Sequence, residues 1–144
     1  MNIENQIKAF ISGLPNPKQK ELKDLHQRIL EVSPNCKLWF DTGVNKDDKT
    51  VSNPTIGYGY QLLSYAKGNS REFFQIGLSP NLSGFSIYII GIKDKLFLNQ
   101  NFGNRIGKAS ISGYCIKFKK PEDLHKETFE KLIKYGFERG EPVK

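Results

Sequence analysis

Between Trp39 and Tyr88, glycine and aromatic residues recur at strand spacing, and this stretch limits the folds open to the chain. Ile56-Gly57-Tyr58-Gly59-Tyr60 is followed by Phe73-Phe74-Gln75-Ile76-Gly77-Leu78 and by Phe85-Ser86-Ile87-Tyr88-Ile89-Ile90. β-branched and aromatic side chains of this kind suit a pleated, half-buried surface. Strands are predicted near 55–65, 72–78 and 85–92, with a short one from Lys37 to Phe40 and another from Gly113 to Lys119. The turns between them are short. Antiparallel pairing follows, because parallel neighbours need long crossovers.

Helical periodicity lies on both sides. Ile3, Ile7, Phe10, Ile11 and Leu14 recur at spacings of three and four, a stripe closed by Gly13 and Pro15. Asn16 before Pro17 reads as an N-cap, with Gln19 at the capping-box position. Leu22, Leu25, Ile29 and Val32 give the second helix its apolar face. A third helix starts at His125, in the N-cap position between Leu124 and Phe129, and continues through Leu132, Ile133 and Tyr135 to a charged tail over 138–144. Residues 45–54 read as a surface loop, and Lys93 to Lys108 fits either a short helix or an irregular segment. The expected architecture is α+β: one domain over 1–144, its antiparallel β-sheet packed against an N-terminal helix pair and a C-terminal helix.

At 144 residues the chain can build a core without metal or disulfide support. The start, Met1-Asn2-Ile3-Glu4-Asn5-Gln6, has no basic region followed by an apolar run, so no signal peptide is expected. Apolar runs fall short of the roughly 20 residues of a membrane helix. Cys36 and Cys115 stand far apart and read as reduced thiols, which points to the cytoplasm. The net charge of +7 is spread along the chain and mixed with acids, unlike the clustered cations of most nucleic-acid binders. Lys93, Lys95, Arg105 and Lys108 form the most basic stretch and would be the place for such a contact.

The residues carry no recognisable catalytic set. His26 and His125 lack a second ligand at i+3 or i+4, and four Cys and His residues scattered along the chain do not make a zinc site. No Gly-x-Ser-x-Gly elbow occurs. Gly103-Asn104-Arg105-Ile106-Gly107-Lys108 runs into Ala109, not the Ser or Thr of a phosphate loop. Asp47-Asp48 and Glu122-Asp123 are flanked by lysines, which weakens cation binding. No cofactor is expected. What remains is an aromatic and polar surface formed by Trp39, Tyr58, Tyr60, Tyr65, Arg71 and Phe74. Strand alternation puts Tyr58 and Tyr60 on one face and Gly57 and Gly59 on the other. The glycine face would admit a packed helix or a ligand.

The order of Ile56-Gly57-Tyr58-Gly59, Tyr65-Ala66-Lys67-Gly68, Gly77-Leu78-Ser79-Pro80 and Ile87-Tyr88-Ile89 resembles the YdhG-like family of domains of unknown function. Gly107-Lys108, Gly113-Tyr114-Cys115-Ile116-Lys117-Phe118 and Glu122-Asp123-Leu124 through Ile133 continue the pattern. The resemblance runs from about Ile3 to Tyr135. It implies a small cytoplasmic domain similar to the frataxin fold, and some relatives are described as intracellular iron chaperones. It brings no agreed catalytic residues. The chain departs from the family at Gln61-Leu62-Leu63, where Tyr-His-Tyr is common, at Asn81-Leu82, where Arg-Lys is common, and at His125, where aspartate is usual. The functions expected are a non-enzymatic module binding a small molecule or protein, or alternatively an iron chaperone. Neither nucleic acid nor membrane is an expected partner.

Overall fold

A computed structural model describes residues 2–64 and 68–139. The chain begins with helices α1 (Ile3–Ser12) and α2 (Lys18–Val32). Asn2 caps the first, its Oδ1 accepting from the Asn5 amide at 2.8 Å, and Gly13 closes it by donating to Ala9 O. Gln19 corrects the capping-box expectation. Its side chain reaches back across the turn, donating to Ser12 O at 2.8 Å and Leu14 O at 3.1 Å. The residue thus satisfies carbonyls at the end of α1 rather than amides at the start of α2.

Eight strands follow among the described residues: β1 (Leu38–Asp41), β2 (Thr55–Tyr58), β3 (Gln61–Ser64), β4 (Ser70–Phe73), β5 (Ile76–Asn81), β6 (Gly84–Ile89), β7 (Ser110–Ser112) and β8 (Cys115–Phe118). Helix α3 (Phe97–Phe102) lies between β6 and β7, and α4 (Lys126–Arg139) follows β8. Six strands form one antiparallel sheet in the order β1-β2-β5-β6-β8-β7, while β3 and β4 pair as a separate ribbon. The fold is α+β, as the alternation of strand and helix patterns predicts. No helix among the described residues is long and apolar enough to cross a membrane.

The strands expected over 55–65 and 72–78 are each broken in two. Together they form one long hairpin that bends midway. Gly59, at φ +87°, turns the first arm out of the sheet, and Phe74-Gln75 turns the second. Two buried glutamines hold the bend. Gln75 donates to Phe137 O at 2.8 Å while its Oε1 accepts from the Tyr60 amide at 3.3 Å. Gln61 donates to Phe74 O and Ile90 O at 2.9 and 3.1 Å. A buried amide with all these partners tolerates the loss of ladder bonds that a bend entails.

Register sets two unlike faces. Leu38, Tyr58, Ile76 and Ile89 form one row across the sheet, and Phe40, Ile56, Leu78, Ile87 and Ile116 form the next. These rows pack with Leu22, Leu25 and Ile29 of α2 and Phe129, Leu132 and Ile133 of α4 in one apolar cluster. Burying a side chain of this size contributes about 1.5–3 kcal/mol. Gly136 brings α4 close to β5, since a Cβ there would lie 3.0 Å from Ile76 Cδ1.

Three further expectations need adjusting. Gly113 and Tyr114 form the β7–β8 turn, with Gly113 at φ +59°, rather than the start of a strand. Val32 is only half-buried. Glu138 belongs to α4, and the rest of the expected tail, 140–144, lies outside the described residues.

Candidate functional site

The aromatic residues singled out from the sequence do not share one surface. Tyr58 faces the helices and is completely buried, whereas Tyr60 is 39% exposed. The positive φ of Gly59 breaks the alternation that would have placed the two rings together. Trp39, Arg71 and Phe74 do meet, at a shallow hollow of about 330 Å³ that Asp41, Glu72 and Phe73 also line. Tyr60 adjoins them through Lys37, whose Nζ is 4.5 Å from the Trp39 ring centre and 5.8 Å from that of Tyr60. Tyr65 lies outside the described residues.

In that hollow the rings satisfy one another. Phe74 stacks on Phe73 with centroids 4.1 Å apart, and Trp39 meets Phe74 edge-on at 6.3 Å. The Phe74 ring covers Gly57 and Gly77, which lie opposite each other on β2 and β5. A Cβ on Gly57 would collide with it. The glycine face of the sheet thus receives an aromatic side chain from the bent hairpin, not a helix. The Arg71 guanidinium sits over Phe73, 4.4 Å from its centre, and Trp39 donates its indole hydrogen to Gly59 O at 2.7 Å. The side chains of the outer face are thus largely partnered by one another, beside the hollow they line.

A deeper site lies between α1 and α2. Ile7, Ile11, Leu30 and Leu38 supply its apolar lining, Lys8, Lys23 and Glu4 stand at its rim, and His26 faces it in a groove of about 560 Å³. Small-ligand sites are concave, mostly apolar, and of about this size, with few polar groups. Helical spacing explains the assembly. Ile7 and Ile11 lie one turn apart on α1, as do His26 and Leu30 on α2.

His26 is the chemical centre of this groove. Its Nδ1 is 2.6 Å from the hydroxyl of Tyr58, and the rings stand 5.5 Å apart. Burial pulls the imidazole below its ordinary pKa, so it is neutral at pH 7. Burial likewise pushes the Tyr58 phenol well above its usual value, with Cys36 nearby adding to the effect. A Tyr58 hydroxyl that donates to Nδ1 leaves the ring hydrogen on Nε2. An Nδ1–H donor leaves Nε2 as an acceptor. Either tautomer gives Nε2 a hydrogen-bonding role, and the ring is oriented by its bond to the completely buried Tyr58.

The sequence marks His26 only as a histidine without a second ligand at i+3 or i+4. Its partner, 32 positions away on β2, is legible only once the face of Tyr58 is known. The other functional candidates are dispersed. His125 caps α4 through its ring, Nδ1 accepting from Thr128 N at 3.3 Å and lying 2.8 Å from Thr128 Oγ1. Both cysteines are free and half-buried, and burial raises both thiols. Among the described residues, no group of three or more His, Cys, Asp or Glu could hold a metal ion. In comparisons with known proteins, the chain matches no family model, no curated protein and no solved structure.

Proposed function

We propose that the chain is a small cytoplasmic, non-enzymatic binding module, and that its ligand is a small molecule with an apolar body and an acidic head. The observation carrying this reading is the His26–Tyr58 pair set at an apolar groove of about 560 Å³. Ile7, Ile11, Leu30 and Leu38 would hold the ligand body. The Lys8 and Lys23 ammonium groups at the rim outnumber the Glu4 carboxylate and favour an anionic head. With the Tyr58 hydroxyl donating to Nδ1, the His26 Nε2–H donates a directed hydrogen bond to that head. The hydroxyl beside the His26 ring belongs to Tyr58, which is completely buried and so withheld from a bound molecule, and this argues for binding over turnover.

Kinship with the YdhG-like domains is part of the proposal and rests on the order of motifs. The iron-chaperone reading draws no support from the geometry, because iron delivery needs clustered carboxylate or imidazole ligands. The test is a ligand-observed NMR screen of small aliphatic and aromatic carboxylic acids. Binders should compete for one site and weaken about tenfold in Lys8→Glu/Lys23→Glu, which alters only exposed side chains. A screen without a saturable binder, or binders indifferent to both the lysine reversal and His26→Gln, would overturn the reading.

A further inference from the structure

A second concave surface lies at the other end of the sheet and is independent of the His26 groove. The β7–β8 hairpin and the segments before and after it bring Lys108, Lys117, Lys119 and Lys120 to one open groove of about 930 Å³. Register explains the convergence. Lys117 pairs with Ser110 on one side and Ser86 on the other, on the β8 face opposite Ile116 and Phe118, and Lys119 follows directly past the end of the strand. Lys108 is fixed beside them by its amide, which donates to Asp123 O at 2.8 Å.

The neutral lining fits the same chemistry. Asn53, Asn81, Ser83 and Ser110 contribute amides and hydroxyls to the groove. The β5–β6 turn is held in place, with Asn81 Oδ1 accepting from Ser83 N at 2.9 Å and Lys18 Nζ donating to Asn81 O and Gly84 O at 2.9 and 3.1 Å. Lys18 adds a fifth positive charge close to the wall. Asp123 is the only carboxylate among the lining residues. The ion pairs among the described residues, Arg28–Asp24 and Lys131–Glu127, lie elsewhere, so none of the groove lysines is in a direct ion pair, and Asp123 offsets one of their charges.

We infer that this groove binds a compact oligophosphate, a chain of two or more phosphoryl groups free in solution. Four ammonium groups around one open space match several charges better than one, and the groove exceeds what a single phosphate would fill. Single-stranded nucleic acid fits less well. Its binding sites offer exposed aromatic rings for the bases. Here the aromatic floor, Phe85 and Phe118, is 1% and 6% exposed, and its rings stack on each other at 5.8 Å. The exposed apolar residue at the rim is Leu82, which is aliphatic. Of the four basic residues noted in the sequence between Lys93 and Lys108, only Lys108 belongs to this lining.

The experiment is isothermal titration of the full chain with inorganic tripolyphosphate at low and moderate salt. One saturable site is expected, weakening at least tenfold in Lys117→Glu/Lys119→Glu and also in Lys108→Glu, which alters a different segment. A control reversal, Lys93→Glu/Lys95→Glu, changes the net charge as much as the first variant but touches no lining residue. It should weaken binding less than threefold. Absence of saturation would overturn the inference, as would equal weakening by the control pair, which would mean attraction to net charge alone. Tighter binding of a single-stranded oligonucleotide of equal charge would overturn it in favour of nucleic acid.

Discussion

Gln75 fills the space that a side chain on Gly59 would need, and a Cβ at Gly59 would run into its amide. The two residues face each other across the bend where the long hairpin leaves the main sheet. Gly59 supplies the positive φ, and Gln75 bonds to both arms and to the C-terminal helix. Gly59→Ala should therefore lose about 2 kcal/mol or more, combining the left-handed penalty with displacement of the amide. Urea unfolding followed by emission from Trp39, the single tryptophan, gives the value directly.

Gln75→Ala removes the bonds to Tyr60 N and Phe137 O without altering the glycine. Leaving buried partners unsatisfied costs about 1–3 kcal/mol. Hydrogen exchange should show faster opening of the β3–β4 ribbon and the end of α4, with protection of β5 and β6 retained.

The outer face makes a different prediction. Gly57→Ala should expel Phe74 from its place over β2 and β5. Combining it with Phe74→Ala removes the collision, so the two changes should be less than additive by about 1 kcal/mol or more in a double-mutant cycle. Strict additivity would place the ring elsewhere.

Stability should depend on pH through His26. Its folded pKa is depressed by burial, so the unfolded chain binds the proton more readily. Stability from this group is fully present above the unfolded pKa of about 6.5 and falls as pH drops below it, by at most about 1.4 kcal/mol per unit. His26→Gln should flatten that limb of the profile. Tyr58→Phe should cost about 1 kcal/mol at neutral pH through the lost hydrogen bond.

Much of the fold was legible because its signals are local. The apolar stripes of α1, α2 and α4, the β-rich segments and the short turns all report on their own neighbourhood. The bend was hidden because a strand carrying Gly-Tyr-Gly-Tyr reads as continuous until the partner of Gly59 is known. That single break moved Tyr58 into the core and left Tyr60 outside. Strand β7 was missed for a related reason, since Ser110-Ile111-Ser112 has one apolar residue and owes its conformation to pairing with β8. Both grooves join residues distant in sequence. His26 stands in the sequence only as an isolated histidine, and the basic groove joins Lys108, before β7, to Lys117 on β8 and to Lys119 and Lys120 just after it.

The most direct test of the central claim is a titration of the ¹⁵N-labelled protein with the tightest carboxylic-acid binder, observing the His26 imidazole nitrogens. The account predicts a saturating shift at Nε2, accompanied by shifts at Ile7, Ile11 and Leu30 and none at Phe73 or Phe74. Saturation that moves the Phe73 and Phe74 signals and leaves His26 unchanged would contradict it.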